Sequence, residues 1–190
     1  GSMLASSVVP DVLCLGKGLG GGHPISACIG KQSIMASWGK HGGTAIHTAT
    51  HFGSPLACAA AVASINIFQE EGTLAHATML GTDVIGPELA AMAERHPSIG
   101  DTRGLGVFWA IELVRNRETR EMLVPYNASG ADAKPMADIV AACREQGVWV
   151  FTHFNRVHVV PPCNASPDDV RLGLAAIDKA LELADAHVIG

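Results

Sequence analysis

The segment Pro10-Asp11-Val12-Leu13-Cys14-Leu15-Gly16-Lys17-Gly18-Leu19-Gly20-Gly21-Gly22-His23-Pro24 narrows the possible folds more than any other stretch of the chain. Four apolar residues, 12–15, lie between a Pro-Asp entry and a glycine cluster, the pattern of a short buried strand. A single lysine follows the strand, with glycine on both sides. An ammonium at the end of a buried strand is costly to desolvate unless it is paired, solvated or neutral. A neutral lysine amine is a nucleophile that condenses with aldehydes. The glycines would let the backbone pass close to a bulky group beside that amine. The plainer alternative is a lysine in a surface turn with its amine in water.

Two phosphate-binding motifs compete for the same residues. Residues 16–21 match G-x-G-x-x-G after a strand, but that motif opens a helix and wants an acidic residue about 20 positions on. Here Gly22, His23 and Pro24 follow at once, and Lys40, His41, Gly42 and Gly43 occupy the downstream place. A P-loop needs a glycine five residues before its Gly-Lys pair and Ser or Thr after it. Asp11 and Gly18 stand there instead.

Composition excludes several broad classes. With 48% hydrophobic and 16% charged residues the chain has ample material for a core, and its 190 residues suit one domain, or one domain and part of another. No apolar run reaches the length of a membrane span, and no signal-peptide pattern opens the chain. Gly1-Ser2-Met3 reads as a tag scar and is set aside. A net charge of −5 without any basic block argues against nucleic acid as a partner. The five cysteines, Cys14, Cys28, Cys58, Cys143 and Cys163, are odd in number, widely spaced and free of C-x-x-C. That pattern fits a reducing cytoplasm better than a disulfide framework or a zinc site.

Beyond the lysine segment, residues 25–29 read as a second strand, and residues 30–49 as a loop with a short helix near 31–38. His47 and His51 stand four apart, but Thr48 replaces the Glu of a zinc-protease helix and no third ligand presents itself, so no metal is expected. Residues 55–71 read as an Ala-rich helix, apolar almost all round, which should be buried in a core or at a subunit contact. Ser54 before Pro55 is a plausible N-cap. A helix over 73–96 stops at Pro97, and residues 99–113 read as two strands about a Gly-x-Gly bend. Residues 115–131 read as an exposed excursion, 133–146 as a helix, 148–151 and 157–160 as strands, and 167–186 as the last helix. No internal repeat or low-complexity segment interrupts this order.

Residues 10–22, with Pro24-Ile25-Ser26-Ala27 after them, resemble the cofactor-lysine segment of the class III aminotransferases, pyridoxal-phosphate (PLP) enzymes of fold type I. The resemblance covers nearly the whole chain but only the C-terminal half of the family's pattern. It implies an α/β chain: a partial aspartate-aminotransferase-like large domain over 4–97, then a small C-terminal α+β domain over 98–190. It implies that Lys17 carries pyridoxal phosphate and shuttles the proton. Thr50-His51-Phe52-Gly53-Ser54-Pro55-Leu56-Ala57 is similar to the family's Thr-x-x-Gly-Asn-Pro-Leu-Ala run, with Ser54 in place of Asn. On that match Thr50 holds the cofactor phosphate across a dimer interface, and a hydroxyl and amide at a helix start suit an anion. Arg103 and Glu112, in a hairpin resembling the family's Arg-Gly-x-Gly…Glu-Leu, are expected to be structural.

Many members of the family place a substrate-clamping arginine in a run Ile-Arg-x-x-Pro-Pro. Here His158 holds that place before Pro161-Pro162, and Arg156 lies two residues earlier, on the same side of an extended strand. Arg156 and His158 are therefore the expected substrate-binding residues. Either Arg156 clamps an acid, or the donor is a different amine, such as an ω-amino acid.

The expected activity is transfer of an amino group from an amine or ω-amino acid to a keto acid. The family's partner to the pyridine nitrogen, its stacking ring and its glycine-serine phosphate loop lie upstream of the lysine. The expectation is accordingly half an enzyme, either a split-gene subunit completed by a separate N-terminal chain or a truncated open reading frame, with a homo-oligomer, a separate N-terminal half chain, or both as its partners. The alternatives are a non-catalytic aminotransferase-like binding or regulatory module, and a related PLP reaction such as aminomutase or decarboxylase chemistry.

Overall fold

The computed structural model describes residues 9–37 and 49–189. The chain divides into two compact units, residues 1–73 and 74–190.

In the first unit, β1 (Val12–Leu15) pairs antiparallel with β2 (Ala27–Gly30), Val12 opposite Gly30 and Leu15 opposite Ala27. A 3-10 turn over Lys17–Gly20 leaves β1 and ends at Gly21, whose φ of 56 is left-handed. α1 (Gln32–Met35) follows β2, and α2 (Pro55–Glu70) ends before Gly72. α2 runs beside the 3-10 turn: a Cβ on Gly21 would sit 2.8 Å from Ser64 Oγ.

β1 is not the buried strand expected, and α2 is not buried within the described chain. Residues of β1 alternate between exposed and half-buried, and among the described residues only β2 pairs with it. In α2 only Ala57 and Ala61 are buried, while Leu56 is 66% and Val62 58% exposed. The helix forms because alanines and straight-chain residues favour it and Pro55 suits its first position. Burial of its sides needs a neighbour that the described part of the unit does not contain. Ser54 occupies the N-cap, but its hydroxyl makes no capping bond.

The second unit is α+β, an antiparallel sheet with helices against one face. Its first helical stretch runs through α3 (Thr73–Met79), a π-helical stretch Leu80–Ile85 and α4 (Gly86–Arg95). The widened turn has a local cause. Pro87 has no N–H to give to the Asp83 carbonyl, and Gly86 N–H bonds to Gly81, five residues back.

The sheet runs in the order β3-β4-β7-β6: β3 (Ile99–Leu105), β4 (Phe108–Asn116), β6 (Phe151–His153) and β7 (Arg156–Val159), with β5 (Glu121–Met122) also pairing β4. Gly106, with φ 55, supplies the left-handed residue of the tight β3–β4 turn. The inner face of the sheet sends Ile111, Leu113, Val157 and Val159 into a core with Leu80, Ile85 and Leu89, with Ile139 of α5 (Lys134–Glu145), and with Leu174 and Leu181 of α6 (Pro167–Asp185). Ser166 caps α6, accepting from the Asp169 N–H.

Two segments differ from the sequence reading. Residues 115–131 are not a free excursion, since β5 ties them to the sheet and Leu123 and Val124 enter the core. The expected strand at 148–151 begins at Phe151. Before it, Val148 N–H bonds back to the Cys143 carbonyl at the end of α5, and the Arg144 guanidinium lies over the Trp149 ring at 3.9 Å. Among the described residues no helix is long and apolar enough to cross a membrane.

A buried polar cluster joins the end of α4 to α6. His96 is 6% exposed, with Nδ1 2.6 Å from Asp185 Oδ2 and Nε2 3.0 Å from Asp178 Oδ1. Arg95 donates to Asp178, and Ser98 donates through its N–H and its hydroxyl to Asp185. Burial by itself would raise the Asp178 carboxyl, but hydrogen bonds from Arg95 and His96 outweigh it and hold the group below its usual value. A depressed carboxylate contributes stability above its unfolded pKa that disappears as pH falls through the folded one. This contribution should therefore be lost below about pH 4. His96→Ala leaves two carboxylates without their shared partner and should cost about 2 kcal/mol in urea unfolding at neutral pH. An unchanged midpoint would contradict the assignment.

Candidate functional site

Four residues singled out in the sequence fall in the two units, Lys17 and Thr50 in the first, Arg156 and His158 in the second.

Lys17 opens the 3-10 turn at the end of β1 and is exposed. Its φ is 50, the left-handed region, although glycine stands on both sides of it and could have taken the conformation freely. A side chain held there costs about 1–2 kcal/mol, and such residues cluster at functional sites. Among the described residues its Nζ has no hydrogen-bond or ion-pair partner, whereas nearby Lys31 is paired with Asp11 at 2.6 Å. A Cβ on Gly18 would meet nothing within 4 Å, so space is open beside the lysine. An unpaired amine with room next to it fits an aldehyde-bearing group such as pyridoxal phosphate. Thr50 lies in an exposed turn five residues before α2, with His51 after it. His47 and Thr48 lie outside the described residues. Among those described, no group of three His, Cys, Asp or Glu gathers as metal ligands would.

In the second unit, Val157 and Val159 of β7 point into the core, which puts Arg156 and His158 on the opposite face. Across the strands, Arg156 stands opposite Glu112 and His153, and His158 opposite Ala110 and Phe151. Arg156 donates to His153 Nδ1 at 2.9 Å. Glu112 is held by Arg103, which also reaches Asp101, so the Arg156 fork keeps its other donors uncommitted among the described residues. His153 had no signal in the sequence. The β6–β7 turn, with Phe154 at φ 54, is what folds it back beside Arg156.

His158 sits between Phe108 and Phe151, ring centroids 6.1 and 5.2 Å away. Its Nε2 is buried and has no hydrogen-bond partner among the described residues. Burial, then the Arg156 charge, then His153 lower its pKa from the ordinary 6.5. An unpaired buried polar atom costs about 1–3 kcal/mol, and an apolar ring of like shape removes that cost. His158→Phe should therefore raise stability by about 1 kcal/mol at pH 7. The folded-state pKa is depressed, so the unfolded chain takes up the proton first, and wild-type stability should fall as pH drops below about 6.5. The variant should lack that fall, as urea titrations at several pH values would show.

A family model for class-III aminotransferases matches residues 1–181. The chain is 31% identical over 188 residues to 4-aminobutyrate aminotransferase GabT of Escherichia coli (strain K12), covering 96% of this chain and 40% of that protein. A solved taurine:2-oxoglutarate aminotransferase from Bifidobacterium kashiwanohense, in complex with PLP and glutamate, matches with TM-score 0.88 and 28% identity, over 99% of this chain and 41% of its own. An amine transaminase from an uncultivated Pseudomonas species, in PLP-bound form, matches with TM-score 0.83 and 31% identity, over 92% and 39%. The chain thus spans about two-fifths of the length of the curated relatives it matches. The fold is part of the α/β architecture of PLP fold type I. Strand, lysine turn and small α+β unit agree with the family match over nearly the whole length, and the chain belongs to the class-III aminotransferases.

Proposed function

We propose that this chain is the C-terminal part of a pyridoxal-phosphate-dependent aminotransferase that moves an amino group from an amine or ω-amino acid to a keto acid. We further propose that it works in the cytoplasm, with an N-terminal partner segment and as an oligomer. The observation that carries the reading is Lys17, an amine without a partner among the described residues, held in a left-handed turn at the end of β1 with open space beside it.

Each residue has a defined task in this reading. Lys17 Nζ would hold the cofactor through its aldehyde, and as a free amine it would take up and return the proton at the substrate carbon. The Thr50 hydroxyl and backbone N–H hold the cofactor phosphate across a subunit contact. The apolar sides of α2 supply surface for that contact. Arg156 receives the carboxylate of the acid, its fork steadied by His153. His158, neutral at pH 7, lines the substrate side without adding charge. When bound, pyridoxal phosphate supplies the electron sink that lets the proton leave carbon. In this arrangement the boundary at residues 97–98 separates the cofactor-bearing part from the small domain.

The test is to mix the purified chain with pyridoxal phosphate, reduce with borohydride and locate the adduct by peptide mass spectrometry. One adduct, at Lys17, is expected. Adducts spread over Lys31, Lys40 and other lysines, or none, would count against the reading. Amino transfer from an ω-amino acid to a 2-oxo acid, followed by product analysis after addition of the N-terminal part, separates transamination from other PLP chemistry.

A further inference from the structure

Cys14 of β1 and Cys28 of β2 stand directly opposite each other in the antiparallel pair, and both thiols are free and exposed. Directly opposed residues project from the same face of the sheet, with Cβ atoms about 4.5–5.5 Å apart. A disulfide needs about 3.5–4.5 Å, which a small inward shift of two strands without other described neighbours supplies. Partial desolvation and the adjacent Cys14 thiol push the Cys28 thiol up, so the two groups feel each other. The other cysteines are placed differently: Cys143 is buried in the core, Cys163 is half-buried, and Cys58 lies on α2.

We propose that Cys14 and Cys28 form a reversible dithiol–disulfide pair that, when oxidised, closes the loop carrying Lys17. The oxidant class is a small-molecule disulfide such as glutathione disulfide. The Cys14 thiolate attacks it, forming a mixed disulfide and releasing one glutathione thiolate. The second cysteine, as its thiolate, then attacks the protein sulfur and releases the other glutathione. The two cysteines together lose two protons and two electrons, and the glutathione disulfide gains them as two thiols. The new bond ties β1 to β2 across residues 14–28, so the Lys17 turn becomes a closed loop. In a reducing cytoplasm the pair rests as dithiol and oxidises only when the poise shifts. The pair needs only the β1–β2 register and is independent of the cofactor reading.

Oxidation of the full chain with glutathione disulfide, quenching by thiol alkylation and tryptic mapping without reductant tests it. Cleavage after Lys17 and Lys31 puts Cys14 in peptide 1–17 and Cys28 in peptide 18–31, so the bond appears as a covalent link between them. The expected result is that link, two hydrogens lighter than the sum of its parts, with two of the five thiols lost and both restored by dithiothreitol. In a Cys28→Ser variant the resolving thiol is gone, and a stable glutathione adduct on Cys14 is expected. Stable glutathione on both cysteines of the wild type, a link between other cysteines, or no thiol loss would overturn the proposal. So would a Cys28→Ser chain that takes up no glutathione at Cys14.

Discussion

A Lys17→Ala chain taken through pyridoxal phosphate and borohydride is expected to hold none of the fixed cofactor that the wild type holds. The proposed bond needs a primary amine at the end of β1. Alanine has none, and arginine in its place stays protonated and does not condense with the aldehyde. Lys31 is a poor substitute, since Asp11 engages its amine at 2.6 Å. Lys17→Gly separates function from conformation. Residue 17 has φ 50, a region where glycine meets no steric penalty, so the variant should be more stable by about 1 kcal/mol while losing fixation completely. Urea unfolding and mass spectrometry on the same preparation give both readouts. A Lys17→Gly chain that is less stable would mean that the left-handed turn stores no strain. A Lys17→Ala chain that still carries a single specific adduct would remove Lys17 from the proposed site.

The second large effect concerns stability. Gly81→Ala is expected to destabilise the chain by about 3 kcal/mol, and to lower the yield of folded protein with it. A Cβ on Gly81 would lie 2.9 Å from both the carbonyl carbon and Cα of Gly106, and closer still to the Gly106 carbonyl oxygen. These are backbone atoms, and they have little room to retreat. Gly106 makes the β3–β4 turn with its left-handed φ of 55, and its carbonyl accepts the Trp109 indole N–H at 2.7 Å. Gly81 belongs to the π-helical stretch and is buried. Gly173, inside α6, is the control, since a Cβ added there would meet nothing within 4 Å. There alanine should add about 0.5–1 kcal/mol, through helix propensity and a less flexible unfolded chain. Opposite signs for the two substitutions in one urea series are the expected outcome. Equal effects would mean that the helix–hairpin contact is loose.

The local elements were legible because their signals lie within a few residues of each other. Val12–Leu15 is a strand between a Pro-Asp entry and a glycine exit, and Pro167–Asp185 is a helix opened by a proline with two aspartates after it. The period of two is enough to place Arg156 and His158 on one side of β7. The lysine among glycines singled out Lys17 by chemistry, and motif resemblance named the family that the match over residues 1–181 then showed.

What residue order could not provide depends on neighbours distant in the chain. Apolarity on every side of α2 promised burial, yet exposure of Leu56 and Val62 is decided by what stands against the helix. The apolar run at 12–15 carries no information about how many strands flank it. The His96 cluster gathers groups more than eighty residues apart, and His153 reaches Arg156 only through the β6–β7 turn. Cys14 faces Cys28 because of a strand register, which spacing alone leaves open. By itself, then, the sequence determined most of the elements and the family, and singled out Lys17 as the candidate amine, since propensity, periodicity and side-chain chemistry are local properties. Tertiary structure alone decided burial, cross-strand pairing and the left-handed setting of Lys17, because each depends on which distant backbone comes alongside.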